Sequence, residues 1–247
     1  MRTCQFLKRI SHAYLQNKNI EYLGTLLEPC KSLRILYLYE NNLRLNPTLV
    51  TNTKLTHVYL QHNLIEEILP FANLPCLEKL YLSKNNIRIV NGLENLVNLR
   101  ELYIDSQNTE NECMLEFDQD CILSISKSLI LLDIHNNKIQ DLTVLWHLNN
   151  LQHLNATENK IEHHLQITNA MNHGWKSLKN LNIENNPITT NSKEMNIVIS
   201  SASLVLENLS KQKLTKALRL YSRTRSHDFT LHPLRIPQGN FIKKVNK

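Results

Sequence analysis

The sequence predicts an α/β solenoid: a horseshoe of about eight leucine-rich coils, 22 residues each, with a concave parallel sheet and a C-terminal helical cap. Three observations predict it. The pattern L-x-x-L-x-L-x-x-N-x-L recurs along most of the chain. Its starts at Leu33, Leu55, Leu77 and Leu99 are 22 residues apart, as are those at Leu129 and Leu151. The 247 residues include 44 Leu and 32 Asn but only 4 Gly, a bias that suits a repeat architecture.

The clearest copies are LRILYLYENNL from Leu33, LTHVYLQHNLI from Leu55 and LEKLYLSKNNI from Leu77. LILLDIHNNKI from Leu129, LQHLNATENKI from Leu151 and LKNLNIENNPI from Leu178 continue the series. Two copies are degraded. ISHAYLQNKNI from Ile10 has Lys18 in the Asn slot, and LRELYIDSQNT from Leu99 has Gln107 there. The central L-x-L reads as a short strand whose leucines face inward, because side chains alternate across a strand. The Asn closes the following turn, its amide serving backbone groups that would otherwise be buried unpaired. Asn41, Asn63, Asn85, Asn137, Asn159 and Asn186 are therefore expected to form a ladder. A single coil cannot bury its own apolar face, so the coils must stack. Short helical turns are expected on the convex side.

Insertions stretch two coils to 30 and 27 residues, before Leu129 and before Leu178, and are expected to lengthen the convex or edge segment. The domain reading is a solenoid over 1–191, a helical cap over 192–222 from its amphipathic pattern, and a basic mobile tail over 223–247.

Charge divides the chain. Residues 211–247 hold 10 Lys/Arg against the single acid Asp228, whereas residues 1–210 hold 18 basic and 21 acidic side chains. The basic isoelectric point belongs to the tail, so it does not argue that the body binds nucleic acid. The scarcity of glycine excludes Gly-rich phosphate loops. Five cysteines with no C-x-x-C suggest neither a disulfide framework nor a zinc site, which favours a reducing compartment. No signal peptide or membrane span is evident.

Position five of each coil is the centre of the concave face. Down that column run Tyr14, Tyr37, Tyr59, Tyr81 and Tyr103, then Asp133, Asn155 and Asn182. Five of the eight tyrosines thus form one stripe, a surface suited to protein binding because Tyr gives large contact area with few torsions to freeze. A plainer reading is that the rings only stack and cover the sheet. Neighbouring columns carry Glu40, Glu101, Asp105, Asp133, Glu158 and Glu184 against Lys79 and Lys84, which points to a partner that is folded and basic where it touches. Phosphates would be repelled, so nucleic acid is disfavoured. The histidines are expected to be exposed: His57 and His153 lie four rungs apart, about 19 Å, too far to share a metal. No nucleophile or acid/base couple stands out, Cys113 and Cys121 are at most mildly reactive thiols, and no metal, cofactor, small-molecule substrate or membrane is expected.

The tyrosine-bearing copies, together with LEFDQDCILSISKSLILLDIHNNKIQDLTVL in the long fifth unit, resemble the leucine-rich-repeat regulators of protein phosphatase 1 over about residues 4–222. The resemblance implies a non-catalytic subunit that binds the catalytic subunit of protein phosphatase 1 through concave aromatic and acidic side chains. It also implies association with gamma-tubulin and a place in the cytoplasm and cytoskeleton, at centrosomes or other microtubule-organising centres. Two features depart from that family. RSHDF, Arg225 to Phe229, places His227 where its docking motif needs an aliphatic residue. Glu194 or Met195 falls near the Tyr slot of its end cap, and Leu206-Glu207-Asn208 replaces Leu-Asp-Gly. The basic tail keeps a phosphatase-independent microtubule, centrosomal or axonemal adaptor as the alternative.

Overall fold

A computed structural model describes residues 2–71, 74–108 and 113–205. Eight three-residue strands form one curved, all-parallel sheet: β1 (His12–Tyr14), β2 (Ile35–Tyr37), β3 (His57–Tyr59), β4 (Lys79–Tyr81), β6 (Glu101–Tyr103), β8 (Leu131–Asp133), β9 (His153–Asn155) and β10 (Asn180–Asn182). They pair in chain order and in one register, with Tyr14 opposite Tyr37, Tyr59 opposite Tyr81, and Tyr103 opposite Asp133. The middle residue of each strand from β2 to β9 faces the core: Leu36, Val58, Leu80, Leu102 and Leu132 are fully buried and Leu154 nearly so. Its neighbours on either side point into the hollow. The leucine-rich-repeat solenoid read from the sequence is the fold observed.

The amide ladder explains why the Asn is needed. Asn63 Oδ1 accepts from the Leu43 amide in the preceding coil at 3.0 Å. Its Nδ2 donates to Leu38 O in that coil and to Leu60 O in its own, both at 3.0 Å. One buried side chain thus satisfies backbone on both sides of a coil boundary. Gln107, which looks like a defect in the sequence, does the same work: its Oε1 accepts from Ile87 N, and its Nε2 donates to Leu82 O and Ile104 O. Its extra methylene lets the fifth coil keep the ladder. The coil starting at Ile10 has no such amide of its own; its Lys18 N and Ile20 N donate to Asn41 Oδ1 of the next coil, as Leu43 N does to Asn63. The residue before each ladder amide takes left-handed backbone, as in Glu40, His62, Lys84, Ser106, Asn136, Glu158 and Asn185, with φ from 54° to 57°.

The convex side differs from expectation. The first four coils close with turns rather than helices, and helix appears mainly from the first insertion, in the fifth coil, onward. That insertion carries β7 (Glu116–Phe117), which pairs with β5 (Ile89–Val90), and helix α2 (Gln119–Ile125), capped by Asp118 accepting from Cys121 N at 2.8 Å. A 3-10 turn (Thr143–His147) closes the sixth coil. The second insertion forms α3 (His164–His173), which packs against α5 (Ser192–Val205). A short helix α1 (Arg2–Leu7) precedes β1, and α4 (Pro187–Thr190) leads into α5. The cap expected over 192–222 is helical as far as Val205; its remainder and the 223–247 tail lie outside the described residues. Gly174 is required here, because a Cβ would sit 1.9 Å from Trp146 O.

Candidate functional site

The five tyrosines of the column meet on the concave face as one ladder. Successive ring centroids from Tyr14 to Tyr103 are 5.1, 4.8, 4.4 and 4.5 Å apart, with interplanar angles of 6–15°. This is close to the strand spacing, so parallel register forces the rings face to face. Stacking hides much of the aromatic surface that the sequence promised. Tyr14, at the open end, is 48% exposed, but Tyr81 is only 9% exposed. What the hollow presents is ring edges and hydroxyls. Burial and neighbouring phenols raise the pKa of Tyr37, and burial raises those of Tyr59, Tyr81 and Tyr103, so the phenols stay neutral.

Three further rings contribute. Tyr39, two residues beyond the column and on the same strand face, was missed in sequence; it sets its edge against Tyr37 at 6.5 Å and 86°. His12 and His57 lie stacked beside Tyr14 and Tyr59 at 6.2 and 6.4 Å. Alternation along a strand was the signal for all three.

The expected acidic surround divides into paired and clustered groups. Glu101 is largely neutralised: Lys79 is 2.9 Å away, and the Tyr103 hydroxyl donates to it at 3.1 Å. Glu158 occupies a left-handed turn position and Glu184 is partly buried at the far end, where burial lifts its carboxyl pKa. Asp105 and Asp133 converge instead on a residue the sequence reading took as exposed. The His135 Nδ1 lies 2.9 Å from Asp133 Oδ1, and its Nε2 lies 3.6 Å from Asp105 Oδ2. The spacing D-x-H puts Asp133 and His135 on the same face of one coil, and the register brings Asp105 alongside. The Ser83 hydroxyl donates to Asp105, and Asn155 Nδ2 donates to both Asp133 oxygens at 3.0 and 3.1 Å.

The hydrogen bond to Asp133, with Asp105 and Glu158 adding charge, raises the His135 pKa against the opposing effect of burial. Asp105 is 8% exposed, and that burial raises its carboxyl pKa despite Ser83 and His135. Asp105, Asp133 and His135 also offer ligand atoms within 4.8 Å of one another, the one such group among the described residues. With its ring protonated, His135 lies between the two carboxylates as an ion triad.

Elsewhere one expectation is corrected. His164 is not free: its ring and backbone both contact Glu194, at 2.6 and 2.8 Å, tying α3 to α5. Cys121 is fully buried, and desolvation pushes its thiol up to about 12, which removes it as a reactive thiol.

The fold is a leucine-rich-repeat solenoid. Residues 53–108, two whole coils and the start of a third, carrying Tyr59, Tyr81 and Tyr103, match the family described as leucine rich repeat. Solved structures share the fold. A chain in the crystal structure of a TLR13–ssRNA13 complex superposes with a TM-score of 0.62 at 25% identity, covering 74% of this chain and 26% of that one. The internalin InlF from Listeria monocytogenes gives 0.55 at 23% identity, over 74% of this chain and 56% of its own. A leucine-rich-repeat protein of Leptospira interrogans gives 0.53 at 22%, over 73% and 50%. The chain spans between about a quarter and about half the length of these chains.

Proposed function

We propose that the protein is a non-catalytic scaffold that docks a folded partner in its hollow, and that this partner is the catalytic subunit of protein phosphatase 1. The tyrosine ladder carries the reading: stacked rings form a rigid platform, so little side-chain entropy is lost when a partner settles on their edges. The choice of partner rests on the resemblance of the tyrosine-bearing coils and the long fifth unit to phosphatase regulators, with these segments especially similar to regulatory subunit 42. The same resemblance supports association with microtubule-organising centres and gamma-tubulin. A solenoid of this type serves binding rather than turnover.

Pull-down of the phosphatase catalytic subunit by the full chain tests this. Capture is expected from wild type and lost when Tyr37, Tyr59 and Tyr81 become Ala in a variant still folded by circular dichroism. Undiminished capture by that variant rules out the concave site.

The net charge of +9 in residues 211–247 favours a second reading, a phosphatase-independent microtubule adaptor. Deleting that segment abolishes microtubule co-sedimentation if it holds and leaves it unchanged if it does not. The single-stranded RNA in the TLR13 complex suggests an RNA partner, which the carboxylates of this hollow disfavour.

A further inference from the structure

Away from the hollow, the first insertion shapes a cavity of about 380 Å³ on the flank of the horseshoe. Its walls come from the fourth, sixth and seventh coils and from the insertion, beyond the turns that follow the concave strands. Strand β7 leaves the coil rhythm to pair with β5, which sets Glu116 opposite Ile89. Leu115 turns inward and is buried, so alternation sends Met114 and Glu116 outward. The Leu115 amide donates to Asn137 O at 3.1 Å, which seats the insertion against the sixth coil. Ile89 and Met114 stay exposed and give the cavity an apolar patch.

Three cations share that lining. Arg88, Lys138 and Lys160 face the cavity against the carboxylate of Glu116. Among the described residues, Arg88 and Lys138 make no ion pair. Arg44, at the equivalent position two coils before Arg88, is answered by Glu66 at 3.7 Å. The backbone on either side of Lys138 is fixed, because Asn159 Oδ1 accepts from Asn137 N at 3.1 Å and from Ile139 N at 2.9 Å. The flank therefore carries cations on a rigid frame beside exposed apolar surface.

Their spacing selects the ligand. A single phosphate needs its cations drawn to one point. Here they leave the backbone in the fourth, sixth and seventh coils, three rungs or about 14 Å end to end. About four extended residues span that distance. Carboxylates spread along a short peptide match it, and an apolar side chain between them matches Ile89 and Met114. Glu116, opposite Ile89, repels a carboxylate over the apolar patch and so keeps the acids to either side. A long polyanion is disfavoured, because residues 1–210 hold 18 basic against 21 acidic side chains.

We propose that this flank cavity docks a short acidic peptide segment of a partner protein. Its carboxylates pair with Arg88 and Lys138, and an apolar side chain between them sits on Ile89 and Met114. Arg88 offers a forked contact to a carboxylate and Lys138 a compact charge. The site is separate from the tyrosine ladder and does not rest on the phosphatase reading.

The probe is a fluorescein-labelled Gly-Glu-Glu-Leu-Glu-Glu-Gly peptide titrated into the full chain by anisotropy. Its counterparts replace every Glu with Gln, or the Leu with Ser. Wild type is expected to bind the acidic peptide, more weakly as salt rises, and not the Gln peptide. The Ser peptide should bind more weakly than the parent. Arg88→Gln and Lys138→Asn should each weaken binding roughly two- to fivefold, the worth of one partly exposed ion pair. Asn also suits the left-handed backbone at Lys138, φ 58°. Arg44→Gln, a cation of the same flank, and His57→Gln, in the hollow, should keep the wild-type affinity.

A readout on wild type alone covers the case in which a variant does not fold. Saturating peptide should protect Lys138 from acetylation and leave the exposed Lys54 unprotected, as mass spectrometry reports. Unaltered binding by the Arg88→Gln, Lys138→Asn double variant overturns the site, as does equal binding of the Gln peptide or an unprotected Lys138. A loss for His57→Gln as large as that for Arg88→Gln moves the peptide into the hollow and also overturns it. Oligo-uridine that binds more tightly than the peptide, and is lost in the same double variant, reassigns the cavity to nucleic acid and overturns the peptide reading.

Discussion

Replacing Asn85 with leucine tests whether the amide ladder holds the coils together. The residue is fully buried in the middle of the solenoid. Its Oδ1 is the acceptor for the Ile65 amide, at 3.0 Å. Its Nδ2 donates to Leu60 O at 3.0 Å and Leu82 O at 2.8 Å. Nδ2 also makes a longer bond to Ser83 O at 3.4 Å, a carbonyl that keeps the His62 amide as partner. The losses are unequal. Leu60 O also accepts from Asn63, and Leu82 O from Gln107, so each carbonyl keeps one partner. The Ile65 amide is left buried with none. An orphaned buried donor costs about 1–3 kcal/mol, and each lost shared bond costs about 0.5–1.5 kcal/mol. The expected destabilisation is about 2–6 kcal/mol, a fall in melting temperature of roughly 4–24 °C for a domain of this size. Urea unfolding with a fixed m-value measures it. Asn98→Ala is the comparison, since its amide makes only one exposed bond, to Pro75 O at 2.6 Å, and should cost under about 0.5 kcal/mol. A loss for Asn85→Leu no larger than that of Asn98→Ala would refute the reasoning.

Other consequences follow from the same geometry. Tyr81→Ala removes stacking on both Tyr59 and Tyr103 and should cost about 2–4 kcal/mol by urea unfolding, while Tyr81→Phe, which keeps the rings, costs under about 1 kcal/mol. His135 has a folded pKa above its unfolded value of about 6.5. Its stabilising contribution is therefore full below that value and lost as pH rises through the folded pKa; His135→Gln should flatten this part of the stability curve in thermal melts from about pH 5 to pH 9. Gly174→Ala forces a Cβ onto Trp146 O and should lower the melting temperature by more than any surface Gly→Ala change, as differential scanning fluorimetry reports. The exposed Cys76 should react with a thiol reagent in the native protein while Cys121 reacts only after unfolding, as mass spectrometry of labelled peptides shows.

The solenoid was legible because its determinants are local and periodic: each coil states the same strand, turn and amide in its own 22 residues. The tyrosine column was legible for the same reason, since constant register turns spacing into alignment. How much of each ring remained visible was not, because exposure depends on the gap between rings, and Tyr81 is nearly covered by neighbours the sequence places 22 residues away. The ion triad escaped for a related reason. Asp105 and His135 are separated by the first insertion, so their approach depends on that insertion looping out and returning to register. The His164–Glu194 contact depends likewise on how α3 packs against α5, a tertiary choice no repeat pattern encodes. Gln107 shows the opposite lesson. It breaks the motif in letters and satisfies it in hydrogen bonds.

Photo-crosslinking tests the central claim most directly, that the partner sits in the hollow against the tyrosine ladder. A benzophenone amino acid replaces Tyr59 on the concave face in one preparation and the exposed Val97 in another. With the phosphatase catalytic subunit present, the account predicts a crosslink from position 59 and none from position 97. A crosslink from position 97 alone would contradict it.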